Sequence, residues 1–199
     1  LDALRAADVA GAYRVVSRSL ESGMSLAVLY RRVIAPAMHE LGRLWETGAI
    51  TIADEHLATA LTHRVLGAIR PLELFEQEEL GVPKPRALMA AVEGEQHALG
   101  LRMAADLLED RGYRVAYLGA DVPSHALLQA VRTFSPDLLG LSATMPESAR
   151  RLEEVVGELG REWPRLPVIV GGQSSGSPRI DGGTVVENLE LLTELVPVP

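Results

Sequence analysis

Arg86-Ala87-Leu88-Met89-Ala90-Ala91-Val92, followed by Glu93-Gly94-Glu95-Gln96-His97-Ala98-Leu99-Gly100, is the stretch that decides the fold. A short apolar run leads through a glycine-containing turn into a segment of helical period, which reads as a buried strand feeding a helix. His97 falls just past the strand, with Glu95 two residues before it and Gly100 three after. That pattern suits a metal ligand: the acid holds the imidazole tautomer, and the glycine lets something bulky approach the backbone. On Glu95 to Gly100 alone, an exposed loop histidine with no ligand is the simpler reading.

Toward the C-terminus the pattern alternates. Apolar runs occur at 87–92, 115–118, 138–142 and 168–170. Between them lie helical stripes: Leu101, Ala104, Ala105 and Leu108; Leu127, Leu128, Val131 and Phe134; Leu152, Val155, Val156 and Leu159. Gly112 closes the first of these helices, and Asp121 with Pro123 opens the second. A last short strand at 184–186 precedes a helix from Asn188. This alternation predicts βαβ units and a doubly wound parallel sheet, a flavodoxin- or Rossmann-like α/β domain over 86–199.

Toward the N-terminus, Glu76 to Pro85 is acidic and carries Gly81, Pro83 and Pro85, which predicts a linker over 76–85. Before it, residues 1–75 have helical period throughout. Val9, Ala12, Tyr13, Val16 and Leu20 form one stripe, stopped by Gly23. Leu26 to Trp45 forms a second, with Pro36 inside it and expected to kink it. Leu57, Leu61, Val65, Ile69 and Leu72 form a third from about Ile52, with a short fourth piece beyond Pro71. This half is expected to be an antiparallel helical bundle, giving an all-α domain ahead of the α/β domain.

The 199 residues are 47% hydrophobic, ample for a core. With 27 acids against 19 bases the net charge is −8, which argues against direct nucleic-acid contact by this segment. No apolar stretch approaches the ~18–20 residues of a membrane span, and no signal peptide is visible, so a cytoplasmic protein is expected. Without cysteine, any metal must be held by His, Asp or Glu. The chain begins at Leu1 inside a helical pattern, which leaves room for a neighbouring domain.

In such a sheet, ligands bind at the carboxyl ends of the strands, near the point where strand order reverses. Three segments fall there: Glu95–Gly100, Ser142-Ala143-Thr144, and Gly171-Gly172-Gln173. Each also has an ordinary reading, as hydroxyls capping a helix or glycines making a turn. Counted along the chain, 41 residues separate Gly100 from Ser142, and 26 separate Thr144 from Gly171.

At this spacing the residues resemble the cobalamin-binding domain family, whose motif runs Asp-x-His-x-x-Gly, then Ser-x-Leu or Ser-x-Thr, then Gly-Gly. The match covers about 84–196, with Glu95 where many members have aspartate. The resemblance implies that His97 is the lower axial ligand of cobalt, displacing the cofactor's own base (base-off, His-on). Glu95 and Ser142 would form its hydrogen-bonded relay, with Gln96 beside it. Gly100, Gly171 and Gly172 would leave room for the nucleotide tail, Ser142 and Thr144 would offer it hydroxyls, and the Asp121-Val122-Pro123 turn would lie along the corrin edge.

In the helical half, Trp45 is followed after nine residues by Glu55-His56. A tryptophan closing a helix is usually core, and Glu-His at a helix start is usually a solvated first turn. Ala58, Thr59 and Thr62 continue from Glu55 as a face of small residues, expected to leave room for something other than protein. The Trp-x9-Glu-His pattern resembles the CarH and LitR family of adenosylcobalamin-dependent photoreceptors, in which a helical bundle caps the cofactor. By that resemblance Trp45 packs on the adenosyl group, Glu55 hydrogen-bonds to it, and His56 supports them. Glu46 departs from the family, standing where its best-known members carry a histidine that binds cobalt after illumination. The implied function is a light sensor controlling oligomerisation or an attached DNA-binding or signalling domain, not an enzyme. The alternative is a corrinoid methyl carrier of a methyltransferase system.

Overall fold

The computed structural model describes residues 1–69, 84–172 and 182–196. The expected linker falls outside the described residues apart from its last two positions. So do the short helical piece expected beyond Pro71, and Gln173. The chain divides into two compact units, Leu1–Gly81 and Val82–Pro199.

The first unit is helical. A single turn, α1 (Asp2–Arg5), precedes α2 (Val9–Glu21), whose start is capped by the Asp8 carboxylate accepting from the Gly11 amide at 2.8 Å. α2 ends at Gly23, which takes φ +86°, open to glycine at little cost. α3 (Leu26–Leu29) runs into a π turn, Tyr30–Ile34, and then into α4 (Ala35–Glu46). The irregularity expected at Pro36 is therefore taken up as a π turn immediately upstream. In a regular helix the prolyl ring would press on the Arg32 carbonyl and leave it without an N–H partner, and a wider turn relieves both problems.

α5 (Ile52–Ala68) starts with a reciprocal cap: Thr51 Oγ1 accepts from the Asp54 amide, and the Asp54 carboxylate accepts from the Thr51 amide. Leu29, Tyr30, Leu41, Ala58 and Leu66 are fully buried in this unit. Each large one contributes about 1.5–3 kcal/mol by leaving water. The buried line of α5 is Ala58, Leu61, Thr62, Val65 and Leu66, so the stripe expected through Leu57 is corrected: Leu57 is 53% exposed.

The second unit is a five-stranded parallel sheet with strand order β2-β1-β3-β4-β5. Its elements in order are β1 (Arg86–Val92), α6 (Leu99–Asp110), β2 (Arg114–Val122), α7 (Ser124–Phe134), β3 (Leu138–Ser142), α8 (Pro146–Glu162), β4 (Val168–Gly171), β5 (Thr184–Val185) and α9 (Leu189–Leu195). Leu88, Ala90 and Val92 of β1 share one core with Leu127, Leu128 and Val131 of α7 and Leu152, Val155, Val156 and Leu159 of α8. Strand alternation sends Ala87, Met89 and Ala91 to the opposite face, which α6 covers, and these too are buried. Burial on both faces is why β1 reads as an unbroken apolar run. Gly140 of β3 makes room for Met89: a Cβ there would fall within 2.3 Å of the Met89 sulfur.

The order 2-1-3-4-5 reverses between β1 and β3. The loops leaving those two strands therefore diverge to opposite faces and open a crevice between them. The helical unit followed by this Rossmann-like sheet is the architecture the sequence implies. No described helix is long and apolar enough to cross a membrane.

Candidate functional site

The two loops that flank the crevice are joined by one buried side chain. Glu95, fully buried after β1, directs Oε1 at His97, accepting from its amide at 2.8 Å and from its Nδ1 at 2.7 Å. Oε2 crosses to the loop after β3, accepting from the amides of Thr144 at 2.6 Å and Met145 at 2.9 Å. Burial pushes the Glu95 carboxyl up, but donation from the Met145, His97 and Thr144 amides and from the His97 ring outweighs it. The net result lies below the ordinary glutamate value. Glu95 is thus an ionised carboxylate inside the protein.

An ionised carboxylate only accepts, so the hydrogen between it and His97 resides on Nδ1. In the neutral ring that tautomer puts the lone pair on Nε2, on a side chain 60% exposed. The Glu95 bond thereby selects, for the neutral ring, the tautomer with Nε2 as the open nitrogen, the form in which histidine binds metals. Among the described residues, no group of three or more His, Asp or Glu side chains is placed to hold a metal ion.

The relay expected from His97 through Glu95 to Ser142 is corrected. Both Glu95 oxygens are engaged by His97 and by backbone amides, and the Ser142 hydroxyl is not among their partners. The arm of glutamate is long enough to reach past Ser142 to the amides at the start of α8. Ser142 Oγ is left buried and without a hydrogen-bond partner in the described structure, a costly state for a hydroxyl unless a ligand atom satisfies it.

The remaining predicted residues divide by location. Gln96 is exposed beside His97, and Thr144 is half-buried at the rim. Gly100 opens onto free space, since a Cβ there meets nothing within 4 Å. Gly171 ends β4, where a Cβ would sit 3.7 Å from the Val186 carbonyl. Gly172 is required by the chain itself: its φ is +101° and a Cβ would come within 2.3 Å of the Ala143 carbonyl oxygen. Val122 belongs to the strand, and its side chain packs in the sheet core, so only its backbone reaches the rim.

Two of the groups that hold Glu95 or its turn were not identified in that role from the sequence. One is the Met145 amide, which has no side-chain signature. The other is Asp121, at φ +52°, whose amide donates to the Glu95 carbonyl at 2.9 Å and whose Oδ1 accepts from the Gly94 amide at 2.7 Å. Asp121 clasps the turn that carries Glu95, and aspartate is one of the few residues that tolerates such a backbone.

In the helical unit, Trp45 ends α4 and is 45% exposed. Glu55 lies in the first turn of α5, bonded through Oε1 to the Thr59 hydroxyl at 2.8 Å and through Oε2 to His56 Nδ1 at 2.7 Å. Glu46 is exposed. The open face of small residues is corrected: Ala58 and Thr62 are buried in the bundle, with Thr62 Oγ1 donating to the Ala58 carbonyl at 2.8 Å. Met38 of α4 is one neighbour there, its Sδ 3.3 Å from Thr62 Oγ1.

Two family models, each described as a B12 binding domain, match residues 85–181 and residues 1–70. The HTH-type transcriptional repressor CarH of Myxococcus xanthus is 35% identical over 149 residues, 74% of this chain and 48% of that protein. The chain thus spans about half the length of this relative. Dimethylamine corrinoid protein 2 of Methanosarcina acetivorans is 28% identical over 154 residues, 75% of this chain and 69% of that protein. Among solved structures, the monomethylamine corrinoid protein of Methanosarcina barkeri superposes with a TM-score of 0.78, covering 98% of this chain and 93% of its own, at 20% identity. That last likeness is one of fold. The buried Glu95, the outward nitrogen of His97 and the two family matches, one on each unit, agree: the chain belongs to the B12 binding domain family.

Proposed function

We propose that this chain is the adenosylcobalamin-binding module of a light sensor, in which His97 is the lower axial ligand and Trp45 and Glu55 contact the adenosyl group. The observation that carries the cofactor assignment is the orphaned Ser142 hydroxyl beside a tautomer-locked His97. A buried hydroxyl at the mouth of the crevice fits the nucleotide tail of a cobalamin whose own base has been displaced. Gly100, with open space where a side chain would be, would leave the same tail room. The bound cofactor would supply a cobalt–carbon bond that light can break. The chain's residues hold and orient: Glu95 fixes the imidazole, Thr144 and Gly171-Gly172 flank the tail, and His56 steadies Glu55 at 2.7 Å.

The sensor reading is supported by the similarity to CarH and by a half-exposed tryptophan and a hydrogen-bonding carboxylate in the helical unit. A flat ring and a polar acceptor suit a nucleoside better than a methyl group. Loss of that contact on illumination would alter oligomeric state or an attached DNA-binding or signalling domain. Glu46 carries no imidazole, so the ligand that follows illumination is not the one its position implies elsewhere.

A second reading, a corrinoid carrier of methyl groups, is favoured by the dimethylamine corrinoid relative, which the chain covers to 69% of its length. One experiment separates the two. The protein is loaded in the dark with adenosylcobalamin or methylcobalamin, and spectra and light-scattering mass are recorded before and after illumination. Preference for the adenosyl form, with a mass change on illumination, is expected. Equal binding with no change on illumination favours the carrier, and no cobalamin binding removes both.

A further inference from the structure

His97 is held from in front by Glu95, and a second anchor acts from behind. Tyr117, in the middle of β2, donates its phenol O–H to the Ala98 carbonyl at 3.1 Å. Ala98 follows His97 and is the N-cap of α6, with φ −108° and ψ 1°, a sparsely populated backbone region. Its carbonyl also accepts the Arg102 amide at 2.9 Å, the first helical bond of α6. The tyrosine ring is itself braced. The Arg102 guanidinium lies 6.0 Å from its centroid, and Arg102 Nε donates at 2.9 Å to Asp106, which is buried.

We infer that Tyr117 is a positioning residue for His97, fixing the Ala98–Leu99 peptide, one residue beyond the histidine, so that Nε2 keeps one direction relative to the crevice. The Glu95 bonds fix the His97 amide and ring but do not reach the Ala98 carbonyl. Without the phenol, the Arg102 amide still holds that carbonyl through the end bond of a helix, and helix ends fray. The Arg102–Asp106 pair carries the constraint into α6, so His97 is oriented by β1, β2 and the first turns of the helix together. Of these groups, only Glu95 is marked as a partner of His97 by its spacing in the sequence.

The inference rests on the cobalamin reading for its consequence, not for its geometry, and the test separates the two. Tyr117→Phe removes one hydroxyl and keeps the ring under Arg102; Arg102→Met removes the brace and leaves the phenol. In the cofactor-free protein, hydrogen exchange at the amides of 97–99 is compared with exchange in the buried strand β1, which reports global opening. Tyr117→Phe is expected to speed exchange at 97–99 roughly threefold to tenfold with β1 unchanged, the size of one net hydrogen bond. Arg102→Met should produce a smaller change in the same amides. In the loaded protein, Tyr117→Phe should lower the His-ligated fraction seen in the absorption spectrum by a similar factor. Unchanged exchange at 97–99 overturns the inference, as does acceleration matched in β1, which would mean a general structural role. If the unsubstituted chain binds no cobalamin, the functional reading fails and the exchange comparison still decides the role of Tyr117.

Discussion

Glu95 and Thr144, 49 residues apart in the chain, meet at 2.6 Å across the point where the strand order reverses. One carboxylate thereby fastens the histidine loop to the start of α8. Glu95→Gln keeps the shape but turns an N–H₂ toward a donor, and is expected to cost about 2–3 kcal/mol in urea denaturation. Glu95→Asp keeps the charge but is one methylene too short to serve both loops, and should cost less. A Gln variant as stable as the parent would show that the staple contributes nothing.

The acid limb of stability should report the same group. The Glu95 carboxyl lies below its ordinary value when folded, so its stabilisation is fully present above that ordinary value. It is lost as pH falls through the lower folded-state value. The stability gap between the parent and Glu95→Gln should therefore be constant near neutrality and shrink on acidification. A gap that widens at low pH reverses the sign and refutes the assignment.

The glycines of the motif make opposite predictions. Gly172→Ala forces a Cβ against the Ala143 carbonyl at φ +101° and should destabilise the cofactor-free protein by about 2–4 kcal/mol. Gly100→Ala, at an exposed helical position with open space, should leave the cofactor-free protein unchanged or up to ~1 kcal/mol more stable. It should nevertheless weaken cobalamin binding measured by absorbance titration. Unimpaired binding by Gly100→Ala would place the tail elsewhere.

Ser142→Ala removes a buried hydroxyl that has no partner in the described structure. Melting of the cofactor-free protein should be unaffected or shift upward, because no bond is lost. Cobalamin affinity should fall by about fivefold to tenfold, the worth of one hydrogen bond made on binding. A loss of stability without the cofactor would mean that the hydroxyl already has a partner.

Trp45 is half-exposed, so Trp45→Ala should alter the stability of the helical unit by only about 1 kcal/mol or less. Its effect belongs in selectivity, read as the ratio of adenosylcobalamin to methylcobalamin affinity. A ratio identical to that of the parent would remove Trp45 from the site.

How much of this was legible in the sequence depended on burial. β1 and β3 stood out because both faces are covered and every position after Arg86 is apolar or small. β2 read as only 115–118, yet it extends over Arg114–Val122: it is an edge strand with mixed exposure, interrupted by Gly119 at φ +84°. Glu95 and His97 could be paired from spacing alone. The reach of Glu95 past Ser142 could not, because backbone amides carry no residue code. Ala58 and Thr62 misled for a related reason, since small side chains mark close packing of helices as readily as an opening.

The π turn at Tyr30–Ile34 has an effect on the tryptophan that follows it. It takes up about one residue more than an α turn, so the rest of the helix is rotated by roughly 100° about its axis. The compass heading of Trp45 is therefore written upstream of Pro36, not at the tryptophan itself. Deleting a single residue from the turn, with Pro36 replaced, would regularise the helix and swing Trp45 to another side. Its neighbours in sequence would be untouched.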